Sequence, residues 1–237
     1  MLVCALSVSA ARADDACRFV TIGEATVRAA TQAGIALEDG RIVHLAGLNL
    51  PDGAQITLPA GTALTLKRLG KAETDRYGRL VAHVFIGADW FQADLLRRGL
   101  ARVSRVGDMA CARALLAEEQ IARAGKLGLW AEPVYVMSKA EDPAEVLKSR
   151  GRFTLVEGRV LSVRESGGTI YVNFGRRWQQ DFTVTISKRN ERLFTAAGIE
   201  PRKLSGRRVV VRGWIEERGG PWVEAVAPDQ IEIVAER

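Results

Sequence analysis

Thr74-Asp75-Arg76-Tyr77-Gly78-Arg79-Leu80-Val81-Ala82 decides how this chain is read. It runs into Leu80–Ile86, whose alternating and β-branched character predicts a strand. From Trp90 to Gly99 the apolar spacing turns helical. The segment ends in a second marked stretch, Leu95-Leu96-Arg97-Arg98-Gly99-Leu100-Ala101-Arg102-Val103. A longer amphipathic helix is expected over Met109–Lys126, closed by Gly125, Gly128 and Trp130. Upstream, strands are predicted at Gly23–Thr31, Gly34–Glu38, Arg41–Leu48 and Thr62–Leu69. Asp39-Gly40 reads as a two-residue hairpin turn, because Gly accepts a positive φ.

Five strands followed by helices fit an OB-type barrel. Downstream, 133–151 contains Pro133, Pro143 and a short helical piece, Pro143–Ser149, and reads as a linker or bridging segment. Strand character returns over Phe153–Val163, Thr169–Phe174 and Asp181–Ile186. A short helix is expected at Glu191–Ala197. The hairpin from Arg207–Glu217 to Trp222–Ala225 turns at Arg218-Gly219-Gly220, and Ile231–Val234 is a last strand. Three strands, a helix and more strands resemble a second OB-type domain of the nucleic-acid-binding kind. The expected fold class is therefore mainly β with helices (α+β). A barrel domain over 18–132 is followed by a smaller OB-like barrel over 152–235.

A chain of 237 residues holds one or two domains, and 47% hydrophobic residues suffice for a buried core. The net charge of +6 suits polyanionic partners, although the Lys and Arg residues are spread rather than blocked. Leu2–Ala11 is apolar and small, and Ala11-Arg12-Ala13 is an A-x-A cleavage signature, so residues 1–13 read as a secretory signal. No other segment reaches the 18 to 20 apolar residues of a membrane span. The expectation is a periplasmic or secreted protein with no membrane anchor after cleavage. Cleavage removes Cys4 and leaves Cys17 and Cys111. An even pair in an oxidising compartment suggests a disulfide; the alternative is two unlinked buried thiols. Two lone cysteines make a poor zinc site.

The two stretches Asp75–Arg79 and Leu95–Val103, with Gly128-Leu129-Trp130 after the long helix, resemble the staphylococcal nuclease (thermonuclease-like) family. The resemblance implies a calcium-dependent phosphodiesterase: carboxylates on a hard cation, a carboxylate acting on the attacking water, and two arginines on the phosphate. Arg79 falls on one of those arginines. The family's V-R-L-x-G-I-D-A-P-E segment aligns with Val43-His44-Leu45-Ala46-Gly47-Leu48-Asn49-Leu50-Pro51-Asp52. His44 then replaces the other arginine, Asn49 a metal aspartate, and Asp52 the glutamate base. A further metal aspartate falls at Ala33. Asn49 offers one neutral oxygen, a weak remnant of a metal ligand, and Asp52 is shorter by one methylene. His44 is largely neutral at pH 7 and has no guanidinium fork. Gly53–Gly61 has no helical period where the family has a helix.

Bland readings stand beside these. Arg79 can simply pair with Asp75; His44 and His83 can be structural; Trp90-Phe91 can be core. In the second domain, Tyr171, Phe174, Trp178 and Phe182 alternate with Arg176, Arg177 and Lys188. Aromatic and basic residues on one OB face suit single-stranded nucleic acid, and ordinary core packing is the alternative. Strand alternation favours exposure of the Tyr171–Asn173 face and burial of Val172 and Phe174. The candidate catalytic positions are thus Arg79, Asp52 and His44, and the candidate binding residues Tyr171, Trp178, Arg176 and Arg177. The sequence predicts an exported, nuclease-derived binding module with impaired hydrolysis and no cofactor. Single-stranded DNA or RNA, or a periplasmic protein, is the partner. The rival is an active calcium-dependent nuclease.

Overall fold

The computed structural model describes residues 17–31, 34–51, 53–54, 56–71, 74–177 and 179–234. The expectations placed on 1–13, Ala33, Asp52 and Trp178 lie outside these described residues. The chain divides into two compact units: 1–45 with 56–91, and 46–55 with 92–237.

The first unit is a barrel. Its strands are β1 (Val20–Thr31), β2 (Gly34–Leu37) and β3 (Ile42–Leu45). After β4 (Leu48–Asn49), which belongs to the second unit, it continues with β5 (Ala63–Arg68), β6 (Leu80–Ile86) and β7 (Asp89–Trp90). The ladder order is β3-β2-β1-β5-β6-β7, and parallel pairing of β3 with β6 closes a five-stranded cylinder. Alternation explains the core: Val43 and Leu45, Leu64 and Leu66, and Ala82 and Val84 all point inward and are buried. The twelve-residue β1 pairs with both β2 and β5, and its register slips between Thr21 and Gly23 and between Val27 and Ala29. Such irregularities let one long strand bend around a small barrel. Gly34 is required where β2 starts: a Cβ there would lie 2.1 Å from the Val43 carbonyl oxygen.

The hairpin between β2 and β3 differs from the expected two-residue turn. Leu37 N–H donates to Arg41 O, so Glu38-Asp39-Gly40 is a three-residue loop with Gly40 at φ 87°. Asp39 keeps a negative φ, and the Asp39-Gly40 pair therefore builds a turn closed by a left-handed glycine rather than a turn with two positive φ values.

The second unit holds α1 (Phe91–Arg97) beyond its first residue, β8 (Arg102–Val103) and α2 (Met109–Gly125). Asp108 caps α2, accepting from the Ala110 and Cys111 N–H groups. The helix ends on Gly125, within the expected stretch, but the residue that turns the chain out of it is not a glycine. Lys126 takes the left-handed conformation at φ 50°, held because Leu127 N–H donates back to Ala122 O. β4 and β8 pair antiparallel. The stretch 133–151 is built into the fold: β9 (Ser138–Lys139) and α3 (Pro143–Leu147) lie within it, and Ala140 and Val146 are core residues.

The C-terminal strands are β10 (Phe153–Arg159), β11 (Ser162–Ser166), β12 (Thr169–Asn173) and β13 (Thr183–Ser187). Helix α4 (Glu191–Ala196) precedes β14 (Arg208–Trp214), β15 (Glu216–Arg218), β16 (Gly220–Glu224) and β17 (Ile231–Ile233). The segment expected as a second, smaller OB-like barrel is built of two sheets, ordered β17-β14-β10-β9 and β11-β12-β13-β16-β15. The chain passes between them twice, at Val160-Leu161 and at Ile215. Val160 N–H donates to Arg207 O while Leu161 N–H donates to Asn173 O, so the hand-over occurs within one peptide. Val156, Val172, Phe182, Val184, Phe194, Val211 and Val223 share one apolar core.

Candidate functional site

Arg79, expected from the sequence to meet phosphate, closes the turn before β6. Its guanidinium pairs with Asp75 at 2.7 Å, and its backbone N–H also donates to Asp75. Burial works to raise the Asp75 carboxyl. The hydrogen bonds from the Arg79 side chain and backbone and from the Tyr77 N–H outweigh it and hold the group below its usual range. Tyr77 is 69% exposed, and the guanidinium carbons of Arg76 and Arg79 lie 5.0 and 5.2 Å from its ring centre. His44 sits half-buried on β3, opposite Val81 of β6. Burial lowers its pKa, the Arg79 charge lowers it further, and Asp75 opposes both. The structure thus brings His44, Asp75 and Arg79 together, with a neutral imidazole in place of a second guanidinium at neutral pH.

Asn49, the residue the sequence aligns with a metal aspartate, has a different partner. Asn49, on β4, gives its Oδ1 to the guanidinium of Arg102 on β8, at 2.9 Å. Arg102 is only 4% exposed and lies 5.2 Å from the ring centres of both Tyr135 and Phe153. Burial depresses its pKa to about 10. An organic cation therefore already satisfies the one oxygen that the aligned residue could offer to calcium. Among the described residues no group of three or more His, Cys, Asp or Glu side chains could hold a metal ion. The described residues around Asn49 do not fit a calcium site.

His83 is a core residue, as one sequence reading has it. It is 1% exposed, lies 5.0 Å from the Phe19 ring and 5.3 Å from that of Trp90, and burial pulls its pKa to about 4. Trp90 and Phe91 are buried as well. Cys17 and Cys111 form a disulfide.

The second unit carries a groove of about 700 Å³ on its five-stranded sheet. Strand register builds it. One row across the sheet reads Ser162, Asn173, Thr183, Trp222, and the next reads Arg164, Tyr171, Thr185. The alternate residues Val172, Val184 and Val223 point into the core, so the groove lies on the opposite face. Tyr171 is half-buried in the lining and Phe174 is buried, as alternation predicts. Arg176 reaches the groove as well. Arg177 is exposed and outside the lining, with its N–H donating to Asp181 Oδ2 at 2.6 Å. Phe182 is core, and Lys188 forms an ion pair with Glu165. Sequence reasoning missed Arg164, Asp181, Arg218 and Trp222. The Arg218 guanidinium lies over the Trp222 ring at 4.0 Å and pairs with Glu216 at 3.0 Å. Finding Trp222 beside Tyr171 requires knowing that β13 and β16 run parallel, which no local pattern announces.

A closed five-stranded barrel carrying an Asp-Arg-Tyr-Gly-Arg turn, with helices after it, defines an OB-type, nuclease-like domain. Residues 58–132 match the family model for staphylococcal nuclease homologues, and that segment of the chain is a domain of this family. No curated protein matches the chain.

Proposed function

We propose that this chain is an exported, nuclease-derived binding module that has lost metal-dependent phosphodiester hydrolysis and binds single-stranded nucleic acid. The observation that carries the reading is the hydrogen bond from Arg102 to Asn49: a guanidinium fills the role a divalent cation would play. Removing several members of one catalytic machine leaves little rate over background. His44 without a fork and Arg79 committed to Asp75 point the same way.

Binding is assigned to the groove of the second unit. Arg164, Arg176 and Arg218 supply positive charge, and Tyr171 and Trp222 supply flat rings, the combination used to track a single strand. The ladder order β11-β12-β13-β16-β15, with β10 on β14, is compatible with an OB-like arrangement and supports the same reading. Export is supported by the disulfide and by the A-x-A signature. Among the described residues no helix is long and apolar enough to cross a membrane.

The test uses the full chain with end-labelled single-stranded and duplex DNA, titrated with calcium. No calcium-stimulated cleavage is expected, together with binding to the single strand that weakens steeply with salt. Cleavage at ordinary enzymatic rates, abolished by Arg79→Ala, would instead establish the active nuclease.

A further inference from the structure

The groove contains one carboxylate among three arginines. Asp181 lines it beside Asn173 and Thr183, and an acid in a surface built for a polyanion weakens phosphate binding unless it makes a specific contact. Its placement is fixed. Gly175 continues the face of Tyr171 and Asn173, and a Cβ on it would lie 2.1 Å from Asp181 Oδ2, so only glycine lets the carboxylate lie over the end of β12. Asp181 Oδ2 accepts one N–H, from Arg177. Among the described residues Oδ1 makes no hydrogen bond, so the carboxylate keeps acceptor capacity on both oxygens. Next to it Asn173 is 7% exposed, and its Oδ1 accepts from the Thr183 hydroxyl at 3.4 Å. The amide nitrogen of Asn173 is then the atom left to donate.

We propose that this floor selects guanine within a single strand, an inference that rests on the nucleic-acid reading of the same groove. Guanine presents two neighbouring N–H donors, N1–H and the 2-amino group, with O6 as an acceptor on the same edge. A carboxylate accepts that donor pair with both oxygens, and the Asn173 amide faces O6. Uracil and thymine present a single N–H flanked by two carbonyl oxygens, which a carboxylate repels. Cytosine and adenine present one amino group beside a ring acceptor, so only one carboxylate oxygen is used. The Arg218–Trp222 pair and Tyr171 supply stacking surfaces for the base. Arg164 and Arg176 are left for the flanking phosphates.

The experiment measures binding of the full chain to short oligodeoxynucleotides, each with one variable base in an otherwise constant strand. Guanine is expected to bind about 5- to 150-fold more tightly than thymine, the range of a good bidentate contact. Inosine, which lacks the 2-amino group, should lose a large part of that preference; this arm needs no protein variant. Asp181→Asn keeps an oxygen acceptor for the Arg177 N–H and removes the negative charge. It should bind the strands carrying thymine, cytosine or adenine at least as well as the parent and lose the extra affinity for guanine. Binding without base preference, or a preference that survives Asp181→Asn, would overturn the inference and leave the nucleic-acid reading intact. Absence of binding to every oligonucleotide at low salt would overturn both.

Discussion

Asn49→Asp supplies the carboxylate that the resemblance expects at this position, and the geometry predicts that it will create an internal ion pair instead of a cation site. Arg102 already donates to residue 49 at 2.9 Å. Its depressed pKa, about 10 against 12.5, means that burying the charge costs roughly 3 kcal/mol that present neighbours leave uncompensated. A carboxylate at hydrogen-bond distance attracts that charge by roughly 5 kcal/mol at an effective dielectric near 20. Its own desolvation offsets several kcal/mol of this, and the existing hydrogen bond to a charged group, worth about 1.5–3 kcal/mol, is replaced rather than added to. The net gain is about 1 kcal/mol, a rise in Tm of about 2–4 °C for a chain of this size. The new carboxyl has its folded pKa held below the unfolded value of about 3.9. Its contribution is therefore present above that pH and lost as pH falls through the folded value. The assay is thermal unfolding by circular dichroism, with calcium raised from none to large excess. Parent and variant should both be indifferent to calcium. A ligand bound only to the folded state at a hundredfold over its Kd stabilises by about 2.7 kcal/mol, so a calcium-dependent rise in the Tm of Asn49→Asp would refute the reasoning.

Three further outcomes are expected. His83, with a folded pKa near 4 against 6.5 unfolded, favours its neutral form on folding, so stability should fall by roughly 3 kcal/mol as pH drops from 6.5 to 4. His83→Leu should flatten that slope in acid denaturation curves, and an unchanged slope would assign it to other groups. Reducing the Cys17–Cys111 disulfide opens a long loop and should destabilise the protein by about 4 to 5 kcal/mol in the chain-entropy model; calorimetry with and without reductant measures it, and equal melting would contradict the estimate. Tyr171→Ala should weaken single-strand binding by about 1–3 kcal/mol at all salt concentrations. Arg176→Ala should instead reduce the salt slope by close to one ion, and a slope that does not move would remove Arg176 from the phosphate path.

The barrel was legible because its signals are local. Alternation in Leu80–Ile86, helical spacing after Trp90 and the Asp75–Arg79 turn each concern residues that touch their sequence neighbours, and the pairing of Arg79 with Asp75 spans four residues. The expectation that His44 and Asn49 stand at substituted positions rests on the register of the flanking Leu45, Gly47, Leu48 and Pro51. The partner of Asn49 was not legible. Arg102 meets Asn49 across 53 residues through a two-residue ladder, and neither residue alone declares a partner. The groove hid for the same reason. Tyr171 could be placed on an open face by alternation, whereas Trp222 joins it only through the parallel β13–β16 pairing, about forty residues away in sequence.

The neutral amide of Asn49 is compatible with the burial of Arg102. A guanidinium beside a cation-loaded site would suffer like-charge repulsion in a medium that screens poorly. Beside a neutral amide it gains a hydrogen bond and two aromatic faces. On the proposed reading a bound cation at position 49 and a buried Arg102 would exclude each other, because their like charges would meet where solvent screens poorly. A carboxylate introduced at position 49 would be claimed by Arg102, as the Asn49→Asp prediction states.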